Sequence, residues 1–141
     1  MRSNLLLAKA SATEAELKLV LQQAFCADFV FALPQGLDTQ LAESGIGLSG
    51  GQLQRLALAR ALLKQSWCWL MDEPASMLPP EQQQLYFQQV EQLSRGKTLL
   101  LATHQLQHLD WLDQVWLISQ GQIVAKGTVA EIRLHPLYQA N

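Results

Sequence analysis

Two short groups of residues in this sequence have the composition of a site that acts on phosphate. Ser49-Gly50-Gly51 offers a hydroxyl followed by two residues without side chains, so main-chain amides there can approach an anion closely. Asp72 and Glu73 are adjacent carboxylates, and two adjacent acids can have different roles, one in binding a metal ion and one in activating water. Asp72 can hold Mg²⁺ through water, while Glu73 can orient or deprotonate a water that attacks a terminal phosphate.

Both groups also have simpler interpretations. Ser49 could do no more than cap a helix, with the two glycines forming the turn. The two acids could be a solvated acidic turn, although Pro74 and the apolar run before Asp72 favour the end of a buried strand. The choice therefore depends on the elements that position these residues.

The first half of the chain contains two helical patterns. Apolar residues recur at helical spacing between Thr13 and Phe25, and Thr13 with Glu16 forms a capping box. A second helix is predicted from about Gln52 to Lys64, with Ser49 as its N-cap. The Ser-Gly-Gly group then lies at the positive end of that helix, where an anion is stabilised.

The second half alternates apolar runs with helical segments. Residues 67–71 are typical of a strand buried on both faces, and Trp67 and Trp69 are expected in the core. A helix follows from Pro79-Pro80 to about Ser94. Further strands are predicted at 97–103, 114–119 and 122–125, with helical segments between 67–71, 97–103 and 114–119 and a turn at Gln120-Gly121 before the last. This alternation predicts an α/β fold with a parallel sheet, whose ligands lie beyond the carboxyl ends of the strands.

Length and composition exclude several classes of protein. A chain of 141 residues has room for one domain, and 49% hydrophobic against 16% charged residues excludes an extended disordered tail. No apolar stretch is long enough to span a membrane, so the chain alone is expected to be soluble and cytoplasmic. The net charge of −2 predicts no nucleic-acid partner. Cys26 and Cys68 are isolated, which excludes a disulfide framework or a thiolate metal site.

Three other motifs suggest different chemistry. Gly96-Lys97-Thr98 resembles the end of a P-loop, but Glu91 stands where the first glycine belongs, and an apolar strand follows instead of a helix. Residues 45–50 form a GxGxxG pattern typical of dinucleotide binding, yet residues 37–44 make a poor buried strand. His104 and His108 have the spacing of a helical zinc pair but no evident third ligand.

A longer string connects the first two groups. Leu48–Arg55 reads LSGGQLQR, an apolar strand then leads into Asp72-Glu73-Pro74, and His104 follows the next strand. This order and spacing resemble the nucleotide-binding domain of an ABC transporter, a P-loop NTPase, over nearly the whole chain. The resemblance implies that Asp72 ends the Walker B strand and serves Mg²⁺, that Glu73 is the catalytic glutamate, and that His104 contacts the γ-phosphate. A helix-capping role is the simpler alternative for His104.

The resemblance also implies partners. In that family the signature LSGGQ closes over ATP held by a second nucleotide-binding domain, so Ser49, Gly50, Gly51 and Gln52 would act in trans. Residues 39–45, with Glu43 as the matching acid, are similar to the loop that exporters use to touch their membrane helices. Three segments are most similar to the heterodimeric cysteine and glutathione exporter needed for cytochrome bd assembly: Arg2–Ala8, Ala27–Val30 and Leu33–Thr39. The intact protein is then expected at the cytoplasmic face of the bacterial inner membrane.

The sequence departs from the family in two respects. It contains no Walker A strand or loop, so it resembles only the C-terminal part of the domain: part of the helical subdomain at 1–65 and the core from Walker B onward at 66–141. We expect this chain alone to be inactive as an ATPase and poorly folded, because the family's sheet would lose a central strand. Pro79 also replaces the aspartate that closes the D-loop. A non-catalytic interaction module or remnant is the alternative function.

Overall fold

The computed structural model describes residues 1–41 and 47–139, which form an α/β fold in two compact units. The first unit, Met1–Ala102, contains helices α1 (Arg2–Leu6), α2 (Glu14–Gln23), α3 (Ala27–Phe31), α4 (Gly50–Lys64) and α5 (Pro80–Ser94), a 3-10 turn (Gly36–Asp38), and strands β1 (Cys68–Asp72) and β2 (Thr98–Ala102). The second unit begins at Thr103 and contains β3 (Val115–Ser119), β4 (Gln122–Gly127), α6 (Val129–Arg133) and α7 (Pro136–Gln139).

Both predicted helix starts are confirmed. At α2, the Glu16 amide donates to Thr13 Oγ1 over 3.2 Å, and the Thr13 amide donates to Glu16 Oε2 over 2.8 Å. At α4, Ser49 and Gln52 form the same reciprocal pair of bonds. Each capping box satisfies main-chain donors that have no partner inside the helix, which explains where these two helices begin.

The helices of the first unit share an apolar core. Ion pairs at the surface connect the elements around this core. Arg2 contacts both Asp38 and Glu14 at 2.6 Å and so connects α1 to α2 and to the 3-10 turn. Burial raises the pKa of the Cys26 thiol to about 12, which keeps it protonated and unreactive. The largest fully buried side chains of the first unit are Leu5, Leu17, Leu21, Cys26, Val30 and Val90.

Strands β1 and β2 pair in parallel, with Leu70 opposite Leu100 and Asp72 opposite Ala102. This pairing confirms the predicted parallel sheet. Trp69 is buried, but Leu70 is 75% and Leu100 58% exposed on the opposite face. The prediction that β1 is buried on both faces is therefore wrong for the described residues, because no other element there covers this side of the sheet.

The expectation that Trp67 packs in the core is also wrong, since this side chain is 76% exposed. Trp67 lies just before β1, and its carbonyl accepts a bond from the Thr98 amide over 2.9 Å. The main chain is thus part of the sheet edge while the indole projects away from the core. Trp69, two residues later, occupies the buried position that was expected for both.

The second unit is an antiparallel hairpin of β3 and β4 with two short helices after it. Arg133 of α6 donates to Asp110 Oδ1 over 2.6 Å and to the Leu106 carbonyl, so it holds the segment before β3. That segment, residues 103–114, contains turns and no helix. The predicted helix between the second and third strands is therefore wrong. His108 has a φ of +63°, which interrupts any helix there.

No helix in the described ranges, 1–41 and 47–139, has both the length and the apolarity needed to cross a membrane.

Candidate nucleotide-phosphate site

The start of α4 presents the Ser49-Gly50-Gly51 group at the end of a 15-residue helix. Ser49 Oγ accepts from the Gln52 amide over 3.2 Å, and Gln52 Oε1 accepts from the Ser49 amide over 2.8 Å. The capping interpretation of Ser49 is therefore correct. This role does not exclude contact with a phosphate, because the Ser49 hydroxyl acts as an acceptor in the cap and can still donate its own hydrogen.

Packing within this chain helps to explain why residues 50 and 51 are both glycine. A β-carbon on Gly51 would lie 2.9 Å from the Met77 main-chain oxygen and 2.9 Å from a methyl group of Leu78. A β-carbon on Gly50 would overlap the sulphur of Met77. The start of α4 thus packs directly on Met77 and Leu78, and a side chain at position 51 would meet main-chain atoms whereas one at position 50 would meet only the Met77 side chain.

Asp72 and Glu73 follow each other at the carboxyl end of β1, where the sequence placed them. Asp72 is exposed as the last residue of the strand, and the Glu73 amide donates to the Ala102 carbonyl over 2.9 Å. Glu73 has a φ of +43°, in the left-handed region that residues with side chains rarely occupy. Backbone strain of this kind persists where neighbouring groups hold it, and it occurs often at functional sites.

The Glu73 carbonyl accepts several bonds that hold this conformation. The Ser76 amide donates to it over 3.2 Å and the Ser76 hydroxyl over 3.0 Å. The Gln54 side-chain amide adds a third bond from α4, over 2.9 Å. Residues 73–78, which we call the acid turn, are therefore connected directly to the helix that begins at Ser49.

Sequence reasoning missed Gln54. Its Nε2 group also donates to Ser76 Oγ over 3.0 Å, and its Oε1 atom accepts from the Met77 amide over 3.0 Å. These partners lie 19 to 23 positions further along the chain. A polar residue in a helix gives no sign of such partners in the sequence, because they depend on how the helix is placed against the turn.

Arg55, the next residue, connects α4 to the other side of the first unit. It donates to the Phe25 carbonyl over 3.0 Å, and its guanidinium lies 5.2 Å from the centre of the Phe29 ring. Phe25 has a positive φ of 54°, which leaves its carbonyl available at the end of α2. Sequence reasoning included Arg55 in the LSGGQLQR string and did not find this contact.

The other predicted site residues lie elsewhere. His104 is exposed, two residues after β2, and belongs to the second unit. Its assignment to the γ-phosphate stays a prediction, as does the division of the chain at residue 65. Glu43 lies outside the described residues. No group of three or more His, Cys, Asp or Glu side chains in the described ranges could hold a metal ion.

Comparison with known proteins decides the family. The family model described as "ABC transporter" matches residues 2–76, just over half of the chain. The chain belongs to the ABC transporter family. Its fold is that of part of an ABC ATPase domain, and its match with a solved structure titled "Structure of a bacterial Atm1-family ABC exporter with ATP bound" has a TM-score of 0.90 at 30% identity, over 99% of this chain and 25% of that one.

Curated relatives of this ABC transporter chain are exporter-type proteins. It is 41% identical over 133 residues to the glutathione/L-cysteine transport system ATP-binding/permease protein CydD of Escherichia coli strain K12, which covers 94% of this chain and 22% of the relative. It is 36% identical over 125 residues to the ATP-dependent lipid A-core flippase of Photobacterium profundum, covering 89% and 21%. The chain thus spans about a fifth of the length of these relatives.

Proposed function

We propose that this chain is the signature and Walker B part of an ATP-binding subunit in an exporter that couples ATP hydrolysis to transport. The observation that carries this proposal is the packing of Gly50 and Gly51 on Met77 and Leu78, which places the Ser49 helix start directly against the acid turn. The two parts have the residue types needed on opposite sides of a γ-phosphate when they come from two different subunits: amides and a hydroxyl from one, carboxylates from the other.

In this proposal the two parts serve different nucleotides. The Ser49 hydroxyl, the amides of Gly50 and Gly51 and the Gln52 side chain would contact the γ-phosphate of ATP held by a second nucleotide-binding domain. Glu73 would orient or deprotonate the attacking water for ATP held by its own subunit, and His104 would contact the γ-phosphate there. Glu43 would contact the transmembrane domains.

The donor set at β1 fits Mg²⁺. This ion usually keeps several waters and binds proteins through one or two carboxylates plus substrate phosphates, so a single exposed carboxylate at Asp72 is sufficient. Asp72 would hold the ion, directly or through water. When bound, Mg²⁺ neutralises charge on the phosphates and so lowers the cost of bringing water to them.

The transported substrate is proposed from the relatives. The similarity to CydD, whose name specifies glutathione and L-cysteine, favours a small thiol, and a role in cytochrome bd assembly would follow. The lipid A-core flippase is the competing comparison. The subunit would act at the cytoplasmic face of the inner membrane, together with transmembrane domains and a second, non-identical nucleotide-binding domain.

A chimera provides the test. The matching 133 residues of E. coli CydD are replaced by those of this chain, and ATP hydrolysis and glutathione uptake are measured in inverted membrane vesicles. We expect the chimera to hydrolyse ATP and to transport glutathione. Failure to hydrolyse ATP, in a chimera that reaches the membrane, would contradict the proposed function. Hydrolysis without thiol transport would contradict only the substrate.

Within that chimera, Glu73→Gln tests the role of the acid. The amide keeps the shape of the side chain but cannot take a proton, so we expect hydrolysis to fall at least about 100-fold while ATP-dependent association of the two domains persists. Glu81→Gln is the matched control, since Glu81 is an exposed acid in the first turn of α5. Equal effects of the two changes would remove Glu73 from the mechanism.

A non-catalytic interaction module is the second candidate. The absence of a GxxxxGK[ST] motif from this sequence favours it for the chain taken by itself, since the remaining groups supply charge but little positioning of ATP. Equilibrium binding of ATP to the purified chain tests this second candidate. Measurable affinity would contradict it by showing autonomous nucleotide binding, whereas no binding is expected of a module and of a remnant alike, and hydrolysis by the CydD chimera then decides between the second candidate and the proposed function.

A further inference from the structure

We propose that Gln54 is a positioning residue that keeps Glu73 and the start of α4 in a fixed relation. The inference rests on the proposed function and deepens it, because Gln54 lies in neither the phosphate-contacting group nor the acid pair. Its half-buried amide spans the gap between α4 and the acid turn with three bonds, two donated by Nε2 and one accepted by Oε1.

The bond to Glu73 acts where the chain is strained. The left-handed conformation raises the free energy of a residue with a side chain by about 1–2 kcal/mol. Glu73 adopts this conformation, with a φ of +43°. The Glu73 amide is held by Ala102, and Ser76 holds its carbonyl from within the same turn. Gln54 donates to that carbonyl from α4, so it links the orientation of the Glu73 peptide to this helix.

The bond to Met77 acts at the other end of the acid turn. Met77 and Leu78 lie against Gly50 and Gly51, and the Met77 amide is held by Gln54 Oε1. One side chain therefore sets both the peptide of the proposed general base and the contact that positions the signature glycines. A change at Gln54 should misplace these groups without removing any atom that touches ATP. Misplacement of a catalytic group by about 1 Å can lower a rate about 100-fold.

Gln83 provides a matched control. It lies on α5, and its side-chain amide donates to the Leu78 carbonyl over 3.0 Å, at the end of the same turn. Residue type and the kind of bond are alike, but the bond from Gln83 is made at Leu78, five residues after Glu73. If these side chains only stabilise the turn, substitutions of Gln54 and of Gln83 should have similar effects. If Gln54 positions Glu73, only substitutions of Gln54 should lower the rate of ATP hydrolysis.

The experiment uses the CydD chimera with Gln54→Leu, Gln54→Glu and Gln83→Leu. Leucine removes all three bonds, while glutamate keeps an acceptor for the Met77 amide but loses both donors and places a carboxylate oxygen against the Glu73 carbonyl. We expect kcat for ATP hydrolysis to fall about 10- to 100-fold in both Gln54 variants, with KM for ATP within about twofold. We expect Gln83→Leu to stay within about twofold of the parent in both constants.

Hydrogen exchange of the Met77 amide provides a readout that does not depend on activity. It should become faster in Gln54→Leu and stay slow in Gln54→Glu, because only glutamate retains the acceptor. A parental kcat in Gln54→Glu, or an equal loss in Gln83→Leu, would overturn the positioning role. An inactive parent chimera would contradict the proposed function instead. In that case hydrogen exchange still tests the bond between Gln54 and Met77. Unchanged protection of the Met77 amide in Gln54→Leu would show that Gln54 does not hold this amide.

Discussion

Gly51 lies so close to Met77 that a β-carbon on the glycine would be 2.9 Å from the Met77 main-chain oxygen. The requirement for glycine at this position therefore has a cause inside the chain, in addition to any approach of phosphate to the amides. Gly50 differs from its neighbour. The atom that a β-carbon there would overlap is the sulphur of the exposed Met77 side chain, which can rotate away.

This difference predicts unequal effects of two alanine substitutions. Gly51→Ala should lower the free energy of unfolding by about 1–3 kcal/mol, because main-chain atoms of Met77 and the buried Leu78 must move. Gly50→Ala should change it by less than about 1 kcal/mol, since the gain in helix propensity offsets the displaced sulphur. Urea unfolding followed by tryptophan fluorescence measures both. Equal losses would show that the described packing does not determine the need for glycine.

Pro79 stands at the N-cap of α5 without a side-chain capping bond. Pro79→Asp should increase the free energy of unfolding by about 0.5–1 kcal/mol, because a carboxylate there can accept from an amide of the first turn and lies at the positive helix end. Pro79→Ser supplies a cap without charge and serves as the control. We hypothesise that Pro79 marks the less active ATP site, so aspartate should also raise ATP hydrolysis in the CydD chimera. Unchanged hydrolysis in Pro79→Asp would remove that hypothesis.

Local signals explain what the sequence predicted correctly. The two capping boxes, Thr13 with Glu16 and Ser49 with Gln52, depend on residues three positions apart, so both are readable without the fold. The turn at Gly96 into β2 is readable for the same reason, since φ is +76° there. The acid pair at the end of β1 followed from the apolar run that precedes it.

Relations between distant segments could not be predicted in the same way. The bonds of Gln54 depend on the placement of α4 against a turn that lies about 20 positions further along the chain. The exposure of Trp67 depends on which elements cover the sheet. An apolar run shows that its residues can be buried, but not which of them are. The helix expected within residues 103–114 failed because Leu106 and Leu109 have the spacing of a helix face, although both are buried in a segment of turns.

Acid should weaken the contact between the loop before α2 and the helix itself. Lys9 and the Thr13 amide hold the pKa of Glu16 at about 2, against an ordinary value of 4.5. The folded state then binds fewer protons than the unfolded state. Its added stability is complete above about pH 4.5 and is lost as the pH falls through about 2. Arg2 likewise lowers the pKa of Asp38, so this second carboxylate contributes in the same direction.

The measurement is urea unfolding at several pH values between 5 and 2 for the parent and for Glu16→Gln. Glutamine keeps the shape of the capping box but cannot titrate, so its stability should fall less steeply over this interval. Parallel curves for the two proteins would contradict the assigned role of Glu16. The pair Glu14 and Asp38 around Arg2 remains in both proteins and provides the same background.

The uncovered face of the β1–β2 sheet should make the isolated chain associate with itself. Leu70 and Leu100 face each other on that side, 75% and 58% exposed, and β2 is paired with β1 alone among the described strands. Contiguous exposed apolar groups beside a strand edge favour association. Leu70→Gln with Leu100→Gln should therefore increase the monomer fraction in sedimentation velocity. Leu7→Gln is the control, because Leu7 is 77% exposed on a different surface, after α1. If Leu7→Gln raises the monomer fraction equally, the sheet face is not the cause of association.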